Sequence, residues 1–361
     1  MRLLEPEDSR SKRRLRIVRS ITVETLAFLV VTVLLPVLLL GAALSDLALW
    51  LVRRKPWMGV RMVLFAWWFL FGELRGLAGL SVVWLLAGGP WGKDSPARRR
   101  RTFGLQVSWA AGHLAGVRAL FGLSLEVEGA ELVAPGPVIV FIRHASIIDN
   151  TLPATVVSRP HGLDLRYVLK RELEMLPTLD IGARWVPTCF VNRASDDSER
   201  EIANVRSLAE KLGPTDGVLI YPEGTRCTAE KLARAQAKLA ESDPIVGGYA
   251  ASLRHVLPPR LGGPLAVLDE ARDASVVFCG HVGLDGFEYL SDIYGGALLG
   301  TTIRVKFWRH APDEIPLDHH ARIKWLYERW QTLDDWVDAQ RAGGGDGPGH
   351  APKAGRIAQV S

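Results

Sequence analysis

The chain has 361 residues, of which 48% are hydrophobic and 23% charged, with a formal net charge of +5; that length holds one large domain or two small ones, and so apolar a composition argues against a freely soluble enzyme. The charge is uneven: residues 1–101 carry 17 Lys/Arg against 7 Asp/Glu, and the remainder carries 27 against 32. Basic groups therefore crowd the apolar N-terminal segments, where anionic lipid headgroups would meet them, and the rest lacks the basic surface that nucleic-acid binding requires.

In chain order, residues 1–20 read as a polar arm rich in arginine, disordered or lying on lipid. Ile21 to about Leu44 is strongly apolar and exceeds the roughly 20 residues that a bilayer-crossing helix needs. The run is too long for the apolar core of a cleaved signal peptide, and no clear small-residue cleavage site follows it. A retained membrane helix is the expectation. Arg53, Arg54 and Lys55 interrupt the apolar sequence, and a second apolar region spans about Trp57 to Trp91, as one long helix or two interfacial segments. Glu73 and Arg75 divide it. Intramembrane charges point to a functional site by default, but these two read as lying near a headgroup region. Basic clusters flank both apolar regions, so the positive-inside rule gives no clean topology. A hairpin with both ends on the cytoplasmic side fits best because it places the arginine run 98–101 and the folded domain there. Residues 21–92 are thus assigned to the membrane, 93–340 to a folded domain on the cytoplasmic side, and 341–361, with Gly343-Gly-Gly and Pro348, to a disordered tail.

After the basic run Arg98–Arg101, the positions Val107, Ala110, Leu114, Val117 and Phe121 recur at helical spacing. Strands are predicted at Leu125–Glu128, up to Ile142, at Arg166–Leu169, Arg184–Val191, Val218–Tyr221, Ser275–His281 and Thr302–Trp308. Between them lie helical stretches: Arg171 to Pro177, a helix opened by the capping box Ser198/Glu201, and Ala229–Ala240. Ile323, Leu326, Trp330, Leu333 and Val337 define a last amphipathic helix. The alternation predicts an α/β fold, a mixed, mostly parallel sheet flanked by helices. The three cysteines, Cys189, Cys227 and Cys279, are far apart and odd in number, which suits neither a disulfide framework nor a metal site. The simplest reading is a reducing compartment. His113, His161, His255, His281, His310, His319 and His320 show no metal-ligand spacing and read as surface or core residues.

The stretch from Val138 to Asp149 carries the chemistry. A buried-strand run, Val-Ile-Val-Phe-Ile, ends abruptly in Arg143, His144 and, five residues after His144, Asp149. In open α/β sheets, ligands gather at such carboxyl ends. On one ideal helix the two side chains would point about 140° apart. With His144 on the turn and Asp149 opening the next helix they can meet, leaving one ring nitrogen as a base. A capping Asp beside an unrelated strand-end His fits the same spacing. Ser146 is a rival nucleophile, yet it stands two residues from His144 and lacks a Gly-x-Ser-x-Gly elbow.

Further on come Cys189-Phe-Val-Asn192-Arg193, then Pro222-Glu223-Gly224-Thr225-Arg226, then Val256-Leu-Pro258-Pro259-Arg260. With His144-x4-Asp149, these four blocks in this order resemble the 1-acylglycerol-3-phosphate acyltransferase family over roughly Phe103 to Trp308. The second block departs from the family pattern, in which an acidic residue often precedes the Arg; here it is Asn192. The resemblance implies a glycerolipid acyltransferase fold preceded by membrane helices. It also implies transfer of a fatty acyl group from acyl-CoA or acyl carrier protein to the free hydroxyl of lysophosphatidic acid. Other lysophospholipids, lysocardiolipin or glycerol-3-phosphate are alternative acceptors, and a non-enzymatic membrane scaffold is the alternative of another class. His144 would be the general base and Asp149 its orienting partner. No covalent acyl-enzyme, metal or cofactor is needed, because the lipid hydroxyl is itself the nucleophile. Arg226 and Arg193 would hold the phosphate, with Thr225 and the Gly224 N–H as further donors and Lys170 as a weaker candidate. Glu223 would hold Arg226 or another cation, or bind a glycerol hydroxyl. Pro258 and Arg260 would shape the acyl-donor pocket.

Overall fold

The computed structural model describes residues 10–92, 94–191, 198–285 and 290–343. Its N-terminal third is three long helices: α1 (Arg10–Arg53), α2 (Gly59–Leu86) and α3 (Pro96–Phe121). Both α1 and α2 are long and apolar enough to cross a membrane. Leu26, Val30, Val33 and Val37 stand exposed on α1, as lipid-facing positions would.

The hairpin between α1 and α2 is closed by Asp46. Its two carboxylate oxygens accept the N–H groups of Gly59 and Val60, each at 2.9 Å. These are N–H groups at the start of α2 that have no partner within the helix. At about 1.5 Å per residue, α2 runs some 42 Å, and it packs along α3. The approach is close: a Cβ on Gly116 would fall on the Trp68 indole, and one on Gly72 on the His113 ring. Both ends of the hairpin meet the α/β domain. Met58 is buried among Ile293 and Leu298, while Arg16 on α1 pairs with Asp180 at 2.9 Å and Glu174 at 3.2 Å.

The described part of the arginine-rich arm, residues 10–20, is therefore the first turns of α1 and not a separate polar arm. Its Arg and Lys are good helix formers, and Asp180 and Glu174 give Arg16 fixed partners. Residues 1–9 and the tail beyond 343 lie outside the described residues.

The sheet follows α3. Seven strands stand in the order β1-β7-β6-β2-β5-β3-β4: β1 (Ser124–Glu128), β2 (Val138–Ile142), β3 (Asp164–Lys170), β4 (Thr188–Val191), β5 (Asp216–Ile220), β6 (Ser275–Val282) and β7 (Thr302–His310). All neighbours are parallel except β6 and β7. This is the mixed, mostly parallel α/β sheet that the alternation of elements predicts. β2 sits centrally and is buried throughout. Its period of two sorts its side chains between two cores. Ile139 and Phe141 face the layer built from the helix His319–Gly343, with Leu326, Trp330, Leu333 and Val337. Val138, Val140 and Ile142 face the layer containing α3.

Several local expectations shift. Arg98–Arg101 lie inside α3, because Ser95 caps Arg98 N–H and Pro96 takes the first helical position; Pro is pre-set for that place. Pro177 starts the helix Pro177–Gly182 for the same reason instead of ending the one before it. Glu73 is fully buried, not at a headgroup level. It accepts from Trp109 Nε1 at 3.1 Å and stands 3.2 Å from His113 Nε2.

Candidate active site

β2 ends at Ile142, and the chain turns sharply around a buried carboxylate. Asp149 is fully buried and gathers the turn about itself. Its Oδ2 accepts the N–H groups of Ala145 at 2.7 Å and Ser146 at 2.8 Å. His144 Nδ1 lies 3.0 Å from Oδ1 and 3.2 Å from Oδ2. An ionised carboxylate only accepts, so Nδ1 carries the hydrogen and Nε2 holds a lone pair. No hydrogen bond among the described residues reaches Nε2. The Tyr221 ring lies 4.6 Å from the imidazole, and its hydroxyl donates to the Asp149 carbonyl oxygen at 3.2 Å. Ser146 is fully buried with Oγ accepting from Ile148 N–H at 3.1 Å. It is part of the turn and stands apart from the cleft lining.

Behind the turn, Arg143 and His281 support the backbone that carries His144. Arg143 is almost completely buried and donates to the carbonyl oxygens of His281 and His255 and to the Asp285 carboxylate. Burial alone would push the Asp285 carboxyl up, but the Arg143 guanidinium overcomes it and holds the carboxyl well below the usual range. Burial lowers the His281 pKa, so the ring is neutral. These residues were not singled out by sequence. Arg143 was adjacent to the motif and readable as a charge ending a buried strand. His281 is brought in by the pairing of β6 with β2.

Glu223 is turned inward, contrary to the sequence expectation. It is 1% exposed. Its Oε1 accepts His144 N–H at 2.6 Å and its Oε2 accepts Leu257 N–H at 2.9 Å. Burial pushes its carboxyl up to about 8, while those two N–H donors and Arg143 pull the other way. It positions backbone and does not line the cleft. The Gly224 N–H is also engaged, donating to the Tyr221 carbonyl oxygen at 3.0 Å, so it is not a donor to ligand. Gly224 has φ of +69°, and a Cβ there would strike the Arg260 side chain. Glycine thus lets Arg260 lie across the turn.

His144 lines a cleft of about 490 Å³, together with Lys170, Gly224, Arg226 and Arg260. Three cationic side chains thus line the same cleft as the imidazole, and Glu201 lines it too. Thr225 is half-buried and Pro258 is buried; neither lines the cleft. Arg193 lies outside the described residues. A second cavity, of about 290 Å³, opens between α2, α3 and the sheet. It is overwhelmingly apolar, with Phe65, Phe69, Val107, Ala110, Leu114 and Val117 among its walls. The two spaces share Ile147, Asn150, Leu169, Leu173 and Tyr221.

Residues 124–242 match the model of the Acyltransferase family. Among curated proteins, the chain is 26% identical over 210 residues to the mouse 1-acyl-sn-glycerol-3-phosphate acyltransferase epsilon, covering 55% of this chain and 56% of that one. It is 20% identical over 195 residues to an uncharacterized acyltransferase of Schizosaccharomyces pombe, covering 50% and 53%. The chain thus spans about half the length of these relatives. Its fold is similar to that of the crystal structure of the 1-acyl-sn-glycerophosphate (LPA) acyltransferase PlsC from Thermotoga maritima. The TM-score is 0.50 at 16% identity, over 78% of this chain and 98% of that one.

Proposed function

We propose, from the match of residues 124–242 to the Acyltransferase family model, that the chain moves a fatty acyl group from a thioester donor to the free hydroxyl of lysophosphatidic acid. The observation that carries this reading is the His144–Asp149 pair at a cationic cleft that adjoins an apolar cavity. The donor is acyl-CoA or acyl carrier protein. His144 Nε2 takes the hydroxyl proton as the acceptor oxygen bonds to the thioester carbonyl carbon. The tetrahedral adduct then collapses, the carbon–sulfur bond breaks, and the imidazolium returns its proton to the departing thiolate. A positioned base of this kind contributes about 10²–10⁴ in rate. Asp149 fixes the tautomer and stabilises the imidazolium. No cofactor beyond the donor itself enters the reaction.

Arg226 and Arg260 suit the acceptor phosphate, since guanidinium forks pair with phosphate oxygens; Lys170 adds a point charge on the same cleft. The apolar cavity suits the fatty chain. The long apolar faces of α1 and α2 suit attachment to a membrane that supplies the acceptor and receives the product, with the α/β domain on its cytoplasmic side. The test is direct. Protein in nanodiscs receives labelled long-chain acyl-CoA with lysophosphatidic acid, glycerol-3-phosphate, lysophosphatidylcholine or lysocardiolipin. Label on lysophosphatidic acid, lost in His144→Ala, is the expected result. Label on another acceptor keeps the mechanism and changes the substrate. No label from acyl-CoA or from acyl carrier protein rejects the enzyme.

A further inference from the structure

The C-terminal helix His319–Gly343 lies beyond the stretch matched by the family model, yet it reaches the base of the catalytic turn. Asp334 is fully buried. Its carboxylate accepts three consecutive backbone N–H groups, from Arg254 at 3.0 Å, His255 at 2.6 Å and Val256 at 3.0 Å. One turn earlier on the same face, Trp330 Nε1 donates to the Leu257 carbonyl oxygen at 2.9 Å. The next link is Leu257 N–H, which donates to Glu223, and Glu223 in turn accepts His144 N–H. A second strand of contacts runs from Arg341, which donates to Asp285 at 2.9 Å, and so to Arg143. Every group in the first chain is fixed by its neighbour, and nothing in it touches the cleft except His144.

We propose that Asp334 and Trp330 are positioning residues for the acyl transfer, holding the segment 254–257 so that Leu257 and Glu223 set the height of His144 in the cleft. The inference rests on the proposed role of His144. Carboxylates that receive a run of backbone N–H groups fix a loop as an N-cap fixes a helix. An error of an ångström at a base costs rate far more than affinity. Asp334→Asn keeps the shape but turns an N–H₂ toward one of the three N–H donors. Trp330→Phe keeps the packing and removes the N–H.

The experiment uses the full chain in nanodiscs with long-chain acyl-CoA and lysophosphatidic acid. Val337→Ala, a truncation in the same helix's buried core, serves as the comparison for lost stability. Asp334→Asn is expected to lower kcat by about 10–100-fold, with KM for the lysolipid held within about twofold, while Val337→Ala lowers the melting temperature but keeps kcat. Wild-type kcat in both Asp334→Asn and Trp330→Phe overturns the proposal. So does an equal loss in Val337→Ala, which assigns the helix a purely structural role. If the wild-type protein transfers no acyl group, the transfer reading fails by itself, and hydrogen exchange decides the relay. Faster exchange at the His144 amide in Asp334→Asn than in Val337→Ala supports it, and equal exchange overturns it.

Discussion

Arg143 and His281 bind each other's backbone: the guanidinium donates to the His281 carbonyl oxygen at 2.6 Å, and His281 Nε2 donates to the Arg143 carbonyl oxygen at 2.9 Å. The two strands β2 and β6 are thus pinned together at the point where β2 delivers His144. The same guanidinium neutralises Asp285. Replacing it in Arg143→Met leaves that buried carboxylate with Arg341, at 2.9 Å, as its remaining cation. Breaking one side of a buried pair outright costs about 3–5 kcal/mol, and a denaturant titration should read a loss below that ceiling. The folded-state pKa of Asp285 is depressed. Its contribution is therefore present above the ordinary value of 3.8 and fades as pH falls below it. The gap between wild type and Arg143→Met should narrow in acid. A variant as stable as wild type at neutral pH would show that the pair is dispensable.

His144→Ala should lower transfer by about 10²–10⁴-fold, while leaving circular dichroism and membrane partition unchanged. The reason is that the imidazole lies on the cleft lining, whereas the backbone N–H that Glu223 holds survives the substitution. Undiminished turnover would remove His144 from the mechanism.

Glu223 gives a pH dependence of stability with a definite sign. Burial puts its carboxyl at about 8 in the folded chain against an ordinary 4.5. The folded state therefore holds the proton more tightly than the unfolded state. That contribution is complete below 4.5 and is lost as pH rises toward about 8. Glu223→Gln has no such proton. The stability of wild type relative to this variant should fall across that window, with a slope approaching about 1.4 kcal/mol per pH unit. A flat difference between pH 5 and pH 8 would contradict the assignment.

This residue also marks the limit of what sequence conveys. The approximate places of the strands along the chain, the burial of β2 and the apolar face Ile323, Leu326, Trp330, Leu333 and Val337 follow from periodicity, because burial acts on side chains at fixed spacing. Five-residue spacing at a strand end permits the meeting of His144 with Asp149 but equally fits a capping Asp beside an unrelated His; the 3.0 Å contact decides it. The direction of Glu223 does not, because it depends on Leu257, which reaches the site only through the segment after Asp243. The same holds for His281, brought in by strand pairing, and for Asp334, whose partners lie some 80 positions earlier. Charge near charge in sequence suggested an ion pair for Glu223, but two backbone N–H groups with no other partner claimed it instead. The helical start of α1 likewise needed Glu174 and Asp180, which local sequence does not reveal.

Arg226→Ala should raise KM for lysophosphatidic acid more than for a neutral monoacylglycerol acceptor. A guanidinium fork on the cleft lining gains most from a phosphate dianion, and charge-assisted hydrogen bonds are about twice as strong as neutral ones. Steady-state kinetics on the two acceptors measures the difference. Equal increases would assign Arg226 to the shape of the turn alone.

The apolar cavity makes the last prediction. Ala110 on α3 is one of its smallest lining side chains, facing a space of about 290 Å³ between α3 and the sheet. Ala110→Trp fills part of that space with an indole and leaves the cleft at His144 untouched, since Ala110 does not line it. A bound fatty chain would lose room for its distal methylenes. Each buried CH₂ is worth about 0.8 kcal/mol, so two lost positions correspond to roughly tenfold in kcat/KM. The variant should therefore lose activity on long-chain acyl-CoA while retaining it on medium-chain acyl-CoA, and competition between the two donors reads the ratio directly. A uniform loss across chain lengths would mean that the fatty chain lies elsewhere, along the exposed apolar face of α1 and the lipid around it.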